Sequence, residues 1–144
     1  MNGVVTHGPR TTPRVALTFD DGPDTLYTPQ ILDILRREGV PATFYVLGER
    51  ADALPEQTAR MAAEGHEVGN HAYADQHLDL RRLRPEEVLR TLSRTHETIT
   101  RLTGSPPRTF RPPFGFFNSF VLATANRFGY PTVLWDVDSL DWQS

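Results

Sequence analysis

The sequence predicts an α/β fold, built as a parallel sheet or a barrel with helices packed against it. From Val15 onward, segments typical of strands alternate with segments typical of helices. The links between these segments are short, and no linker, low-complexity tract or internal repeat divides the 144 residues. A strand–helix repeat with short connections favours parallel strands. A chain of this length fits one domain with a hydrophobic core of its own.

The first predicted strand and helix carry clear boundary signals. Residues 15–20 are rich in apolar, β-branched and aromatic side chains, and Gly22-Pro23 ends the strand in a turn. A helix is predicted from residue 27 or 28 to residue 38, with Pro29 suited to its first turn and Gly39 at its end.

The later elements follow from the same kinds of signal, namely apolar periodicity within each segment and glycine or proline at its ends. Further strands are predicted at 42–47, 66–69, 109–111 and 132–137. Further helices are predicted at 54–64, 85–102 and 119–128.

The composition restricts the partners of the chain. The formal net charge is −3 and no basic stripe occurs, which excludes nucleic acid as the expected partner. No apolar run is long enough to span a bilayer. Residues 1–13 read as a polar extension without the apolar core of a signal peptide, so we expect that the chain stays inside the cell or that its export signal has been removed. The sequence leaves the oligomeric state open.

Polar side chains follow the predicted strands, at the point where each strand ends. They are Asp20 and Asp21, Asn70 and His71, Arg111, and Asp136 and Asp138. Because the loops at the carboxyl ends of parallel strands meet at one rim of the fold, we expect these groups to lie close together. This gathering of charged and imidazole groups favours an enzyme.

The adjacent carboxylates of Asp20 and Asp21 are the centre of this prediction. Two carboxylates side by side repel each other unless a cation, an arginine or a shared proton lies between them. The alternative is a surface turn in which Asp21-Gly22 only shapes the loop. The absence of cysteine excludes a disulfide framework and any thiolate metal site or nucleophile.

Four motifs in order, TFDDGP (18–23), GNH (69–71), RPPFG (111–115) and DSLDW (138–142), resemble the polysaccharide deacetylase family. This is the NodB-homology family, also called carbohydrate esterase family 4. The resemblance covers residues 15–142 and implies a distorted, incomplete (β/α) barrel. It also implies that residues 1–144 are a single domain of this type, with residues 1–13 as an extension.

The resemblance implies a metal-dependent hydrolase that removes acetyl groups from carbohydrates. The substrate would be an acetylated polymer or oligosaccharide, with N-acetyl groups of the chitin, chitooligosaccharide or peptidoglycan type. Acetylxylan-type O-deacetylation is an alternative, and a related hydrolase acting on small cyclic amides is another. Proteins of this family favour a secreted or cell-surface location.

The resemblance also implies roles for individual residues. Asp20 would be the general base, and Arg111 would pair with it and orient it. The peptide N–H of Phe114 would donate to the developing oxyanion. Asp138 would orient a histidine further along the chain. The substrate pocket would be lined by Pro113, Phe114 and Trp142.

One divalent metal ion is the implied cofactor, with Asp21 and His71 as two of its ligands. Two imidazoles and one carboxylate are typical of catalytic zinc, with cobalt, manganese and nickel as alternatives. The family usually has a second histidine at the position of Asp75. We read a two-residue insertion with His77 in this role, and Asp75 as its competitor. His7, His66 and His96 are interpreted as structural, with His96 on an exposed helix face.

The family's last motif supplies a general-acid histidine, and no histidine follows His96. We therefore expect a domain whose C-terminal part is missing, and an alternative function as an inactive carbohydrate-binding remnant. The 144-residue chain taken literally is expected to bind metal but to deacetylate poorly.

Overall fold

A parallel β-sheet forms the centre of the protein, whose computed structural model describes residues 3–74 and 78–144. Its strands are β1 (Val4–Val5), β2 (Thr18–Asp20), β3 (Thr43–Val46), β4 (Glu67–Asn70) and β5 (Thr132–Val133). Strand β3 pairs in parallel with β2 and with β4, and β1 pairs in parallel with β5. Single parallel bridges from Phe110 to Asn70 and to Thr132 join the two groups. The order across the described sheet is therefore β2, β3, β4, Phe110, β5, β1, with both outer strands unpaired on their far side.

Within the described residues, five α-helices and three short 3₁₀ turns accompany the strands. The helices are α1 (Tyr27–Glu38), α2 (Gly48–Ala53), α3 (Pro55–Ala63), α4 (Pro85–Thr103) and α5 (Ser119–Arg127). The 3₁₀ turns are Leu80–Arg82, Pro113–Gly115 and Asp141–Gln143. Within the described residues, no helix combines the length and the apolar character needed to cross a membrane.

The helix boundaries agree closely with the sequence signals. The carboxylate of Asp24 accepts hydrogen bonds from the first backbone N–H groups of α1, and Gly39 ends that helix with φ 65°. Helix α4 begins at Pro85, where Glu87 accepts the backbone N–H of Arg84 at 2.8 Å. The predicted alternation of strands and helices is confirmed.

The predicted strand 109–111 is wrong as a regular strand, because only Phe110 pairs there, through single bridges. Strand β5 is also shorter than predicted and ends at Val133. Helix α2 was not predicted. It is separated from α3 at Leu54, whose φ of −128° and ψ of 62° are not helical. The residue before a proline avoids the helical region, and Pro55 then opens a new helix.

The N-terminal segment also differs from the expected polar extension. Val4 and Val5 pair with Thr132 and Val133, and the backbone N–H of Leu134 donates to the carbonyl of Val5 at 2.8 Å. This segment therefore supports the last strand of the described sheet.

Two clusters of buried apolar side chains pack against the sheet. One joins α1, α2, α3 and α4 to β3 and β4, with fully buried Leu32, Val46 and Met61 among its members. The other packs α4 and α5 around Phe110 and Tyr130. Burial of each of these large apolar side chains contributes about 1.5–3 kcal/mol to the free energy of unfolding. These clusters hold the strand ends, and hence the polar rim, in place.

Candidate active site

Asp20 is the last residue of β2 and Asp21 follows it, and both carboxylates face the same histidine. Regular alternation would send the two side chains to opposite faces of the sheet. The backbone of Asp21 instead adopts a left-handed conformation with φ 71°, a region in which aspartate is tolerated better than most residues. An Asp21 oxygen lies 3.1 Å from His71 Nε2, and an Asp20 oxygen lies 4.0 Å from it.

His71 is buried at the end of β4 with its ring orientation fixed. Its Nδ1 lies 2.6 Å from the carbonyl oxygen of Arg111, and a carbonyl only accepts, so Nδ1 carries the proton. The preceding Asn70 is also buried and braces the turn. Its side chain donates to the carbonyl of Leu92 at 3.0 Å and accepts the N–H of Ala72 at 2.9 Å. Nε2 is therefore directed at the two carboxylates.

The surroundings of His71 favour positive charge at its Nε2. Burial alone would lower the pKa of His71, but the hydrogen bond to Asp21 and the charges of Asp20 and Asp21 outweigh it, so the pKa is raised. A neutral ring would present a lone pair to a carboxylate oxygen. A proton or a metal ion between the two groups removes this conflict.

Arg111 lies beside Asp20 and is almost completely buried, with 3% of its surface exposed. Its guanidinium donates to Asp20 Oδ1 at 2.8 Å and to Thr18 Oγ1 at 2.8 Å. It also donates to the carbonyls of Val133 at 3.1 Å and Leu134 at 2.8 Å. The side chain thereby links β2 to the chain after β5, and it fixes the direction of the Asp20 carboxylate.

Tyr45 supports Arg111 and was not predicted as a site residue. The Arg111 guanidinium carbon lies 4.4 Å from the centre of the Tyr45 ring, a cation–π contact. A side chain at Gly69 would place its Cβ 2.6 Å from this ring, which explains the glycine of the GNH motif. Burial raises the pKa of Tyr45, so its hydroxyl stays neutral. In the sequence, Tyr45 is an aromatic residue on a predicted buried strand, and nothing there distinguishes it from a residue of the hydrophobic core.

Phe114 and Pro113 lie in the 3₁₀ turn after Arg111. Pro113 is buried, whereas the Phe114 side chain is 49% exposed and its ring lies 5.7 Å from that of Phe116. Phe114 has φ 61°, which is rare for a bulky residue, and Gly115 follows with φ 73°. Such conformations persist only where the surrounding structure enforces them, and they cluster at functional sites.

The predicted residues after β5 are exposed. Asp138 is exposed and accepts the backbone N–H of Leu140 at 2.9 Å. Trp142 is 71% exposed. Asp136 pairs with Arg10 at 3.3 Å on the surface. Among the described residues, these three make no hydrogen bond to the polar group at the ends of β2 and β4.

The donor chemistry around His71 fits a divalent cation, although only two of the predicted ligands are described. Asp21 offers a carboxylate oxygen and His71 an imidazole nitrogen, and a backbone carbonyl fixes the ring as it does for many metal-binding histidines. In residues 3–74 and 78–144, no group of three or more His, Cys, Asp or Glu side chains is arranged to hold a metal ion. Asp75 and His77, the two candidates for the third ligand, lie outside the described residues.

Two of the remaining histidines are structural in different ways. His66 accepts the backbone N–H of Ala42 at 3.1 Å, and burial lowers its pKa. His96 is half-buried, so the exposed helix face expected for it is wrong. Its Nδ1 lies 2.5 Å from the Tyr130 hydroxyl, whose pKa burial raises to about 12.

Comparison with known proteins identifies the family. A family model described as polysaccharide deacetylase matches residues 7–133. The chain belongs to the polysaccharide deacetylase family. The peptidoglycan-N-acetylglucosamine deacetylase of Bacillus cereus is 42% identical to it over 136 residues, which are 94% of this chain and 49% of the relative. The chitooligosaccharide deacetylase of a Bradyrhizobium strain is 43% identical over 129 residues, which are 89% of this chain and 58% of the relative.

Solved structures agree with this membership in the polysaccharide deacetylase family. A crystal structure of a peptidoglycan N-acetylglucosamine deacetylase matches with a TM-score of 0.93 and 40% identity, covering 97% of this chain and 64% of that one. A family 4 pseudoenzyme from Bacillus anthracis matches with a TM-score of 0.91 and 31% identity, covering 97% and 49%. The predicted family and α/β fold are confirmed, and the described strands form an open sheet rather than a closed barrel.

Proposed function

We propose that this protein is a metal-dependent hydrolase that removes acetyl groups from N-acetylated carbohydrates of the peptidoglycan or chitooligosaccharide type. The observation that carries the proposal is the arrangement at the ends of β2 and β4. The carboxylates of Asp20 and Asp21 both approach His71 Nε2. The buried Arg111 orients Asp20, which is the more distant of the two from Nε2. The names of the relatives support a polysaccharide substrate.

In this proposal Asp20 is the general base. It lies beside the histidine but not in hydrogen-bond contact with it, and Arg111 holds one of its oxygens at 2.8 Å. The other oxygen remains available to accept the proton of a water molecule that attacks the acetyl carbon. A general base in a fixed position contributes on the order of 10²–10⁴-fold to the rate.

Asp21 and His71 would hold a divalent cation, together with Asp75 or His77, and zinc is the ion that this donor set suits best. Such an ion supplies Lewis acidity, which polarises an acyl oxygen and makes water easier to deprotonate near neutral pH. The chain's own contribution is to hold Nδ1 of His71 on the carbonyl of Arg111, so that Nε2 stays directed at Asp21.

The backbone N–H of Phe114 is proposed as the donor to the developing oxyanion. Its position directly after Pro112-Pro113, in a left-handed turn, gives the amide a fixed direction. Loss of such a donor lowers turnover by on the order of 10²–10³-fold. The exposed rings of Phe114 and Phe116 are suited to contact a sugar ring.

A second candidate function is a non-catalytic carbohydrate-binding role. It is raised by the likeness to a pseudoenzyme of the same family, whose structure matches this chain with a TM-score of 0.91. Metal content and acetate release separate the two candidates.

The decisive assay measures acetate released from chitooligosaccharides and from peptidoglycan, with and without added zinc or cobalt. It is run on the 144-residue chain and on the longest chain that its gene encodes. We expect release that depends on the metal and is lost in Asp20→Asn. Absence of release from both substrates with every metal would contradict the enzyme and favour the binding role.

Metal binding is expected to weaken as the pH falls. The pKa of His71 is raised, so its Nε2 remains protonated to a higher pH than in the unfolded chain, and a metal ion must displace that proton. Calorimetric zinc titrations in buffers of different ionisation enthalpy should show protons released on binding at pH 6, and the zinc Kd should be higher at pH 6 than at pH 8. A zinc Kd that is equal at both pH values, with no proton release, would contradict the assignment of Nε2 as a ligand.

A further inference from the structure

We propose that Tyr73 is a positioning residue that anchors the loop leaving His71 and thereby sets the metal affinity of the site. The proposal rests on the proposed function, since it assigns to Tyr73 the support of that same metal site. It is carried by the contacts that Tyr73 makes with α2 and α4, none of which involves a metal ligand.

The backbone on either side of Tyr73 is tied to both helices. The first two N–H groups of α2, from Gly48 and Glu49, donate to the carbonyls of Ala72 at 3.0 Å and Tyr73 at 2.9 Å. The N–H of Tyr73 donates to the hydroxyl of Thr91 on α4 at 2.8 Å. The carbonyls of Ala72 and Tyr73 thus accept from the N–H groups at the start of α2, which have no acceptor within the helix. These hydrogen bonds hold the loop at both Ala72 and Tyr73.

The side chain of Tyr73 adds contacts at its ring and at its hydroxyl. The guanidinium carbon of Arg94 lies 3.7 Å from the ring centre, and the hydroxyl donates to Asp52 at 2.9 Å. On the other side the ring lies against Gly48, where an added Cβ would come within 2.3 Å of it. The ring therefore fits only because position 48 is glycine.

The carboxylate of Asp52, which accepts from this hydroxyl, is held in place by other hydrogen bonds. It also accepts from Thr98 at 3.2 Å and from Arg101 at 2.5 Å, both on α4. Because these two donors fix the carboxylate between α2 and α4, the Tyr73 hydroxyl meets an acceptor whose direction does not depend on the loop itself.

The position of Tyr73 in the chain explains why the anchor matters for metal binding. It comes two residues after His71, two before Asp75 and four before His77, so it lies between two proposed ligands whichever of the latter binds. The neighbouring Ala72 has φ 68°, a conformation that L-residues rarely keep unless contacts enforce it. Loosening the anchor frees the described backbone that follows His71, and groups that hold ligands in place are typically worth about 10–100-fold in affinity.

The test compares Tyr73→Phe with Thr98→Val by zinc and cobalt titration against a competing chelator. Each variant removes one hydrogen bond to the same carboxylate, so the two should lower Tm similarly. We expect Tyr73→Phe to raise the metal Kd about tenfold and Thr98→Val to leave it within about twofold of the wild type. Gly48→Ala, which displaces the ring, should raise the Kd further than Tyr73→Phe does. A wild-type Kd in Tyr73→Phe, or an equal rise in Thr98→Val, would overturn the proposal.

Hydrogen exchange of the metal-free protein separates this proposal from the proposed function. The backbone amide of residue 73 should exchange faster in Tyr73→Phe than in Thr98→Val, because only the first change loosens the loop. If the wild type binds neither metal, the proposed function fails, and unchanged exchange in Tyr73→Phe would then overturn the anchor as well. If the wild type binds metal and only the Tyr73→Phe comparison fails, the proposed function stands and the anchor is rejected.

Discussion

Asp20→Asn is expected to lower acetate release by on the order of 10²–10⁴-fold while leaving the metal content unchanged. The amide keeps the shape of the carboxylate and still accepts a hydrogen bond from Arg111, but it does not accept a proton from water. Because Asp20 lies 4.0 Å from His71 Nε2, its replacement leaves the closer Asp21 in place. The measurement is acetate release per metal-loaded protein, with metal content determined on the same samples.

The adjacent variant Asp21→Asn is the matched control for this prediction. It makes the same chemical change one residue away, at the carboxylate 3.1 Å from Nε2, and should lose the metal instead. If Asp20→Asn loses the metal and Asp21→Asn retains it at full occupancy, the two roles are exchanged and our assignment is wrong.

Arg111→Met is expected to lower the free energy of unfolding by about 3 kcal/mol or more, and to lower turnover as well. The Arg111 side chain is 4% exposed and its partner Asp20 is 31% exposed, so the pair lies largely out of water. Methionine fills the volume but leaves the carboxylate and the carbonyls of Val133 and Leu134 without their donor. Urea denaturation measures the stability, and the acetate assay measures the turnover.

A double-mutant cycle with Asp20→Asn isolates the Arg111–Asp20 interaction. We expect a coupling energy of about 1–3 kcal/mol, since the two groups are in direct contact. Arg108→Met, which removes an exposed arginine from the same segment, serves as the control and should change the stability little. Should Arg111→Met fail to fold, Arg111→Lys replaces it. Lysine keeps the charge but not the planar fork, so we expect the free energy of unfolding of Arg111→Lys to lie between those of the wild type and Arg111→Met. A coupling energy near zero would contradict the role of Arg111 in orienting Asp20.

The helices of this protein were predictable because their signals are local. Proline at the start of α4 and glycine after α1 act within one turn of the chain, whatever packs against it. Strand β1 was not predictable in this way, since two valines in a polar segment become a strand only by pairing with residues about 130 positions later. Helix α2 is similar, because its first N–H groups find acceptors in the distant loop of Ala72 and Tyr73.

The candidate site was predictable as a group of residue types but not in its geometry. The motifs place Asp20, Asp21, His71 and Arg111 at strand ends, and the structure brings these four side chains together. The left-handed backbone of Asp21 was not foreseen, although it is what turns both carboxylates to one side. Tyr45 was missed because its contact with Arg111 depends on strand packing. Asp138 and Trp142, which were predicted from a motif, are exposed in the described structure.

We expect Asp21 and His71 to bind one divalent cation. Crystals grown with zinc or cobalt and measured at the metal's absorption edge test this expectation. We predict one anomalous peak about 2.0–2.2 Å from His71 Nε2 and from an Asp21 oxygen, completed by Asp75 or His77. Fully loaded crystals with no peak between these side chains, or with the only peak at His66 or His96, would contradict it.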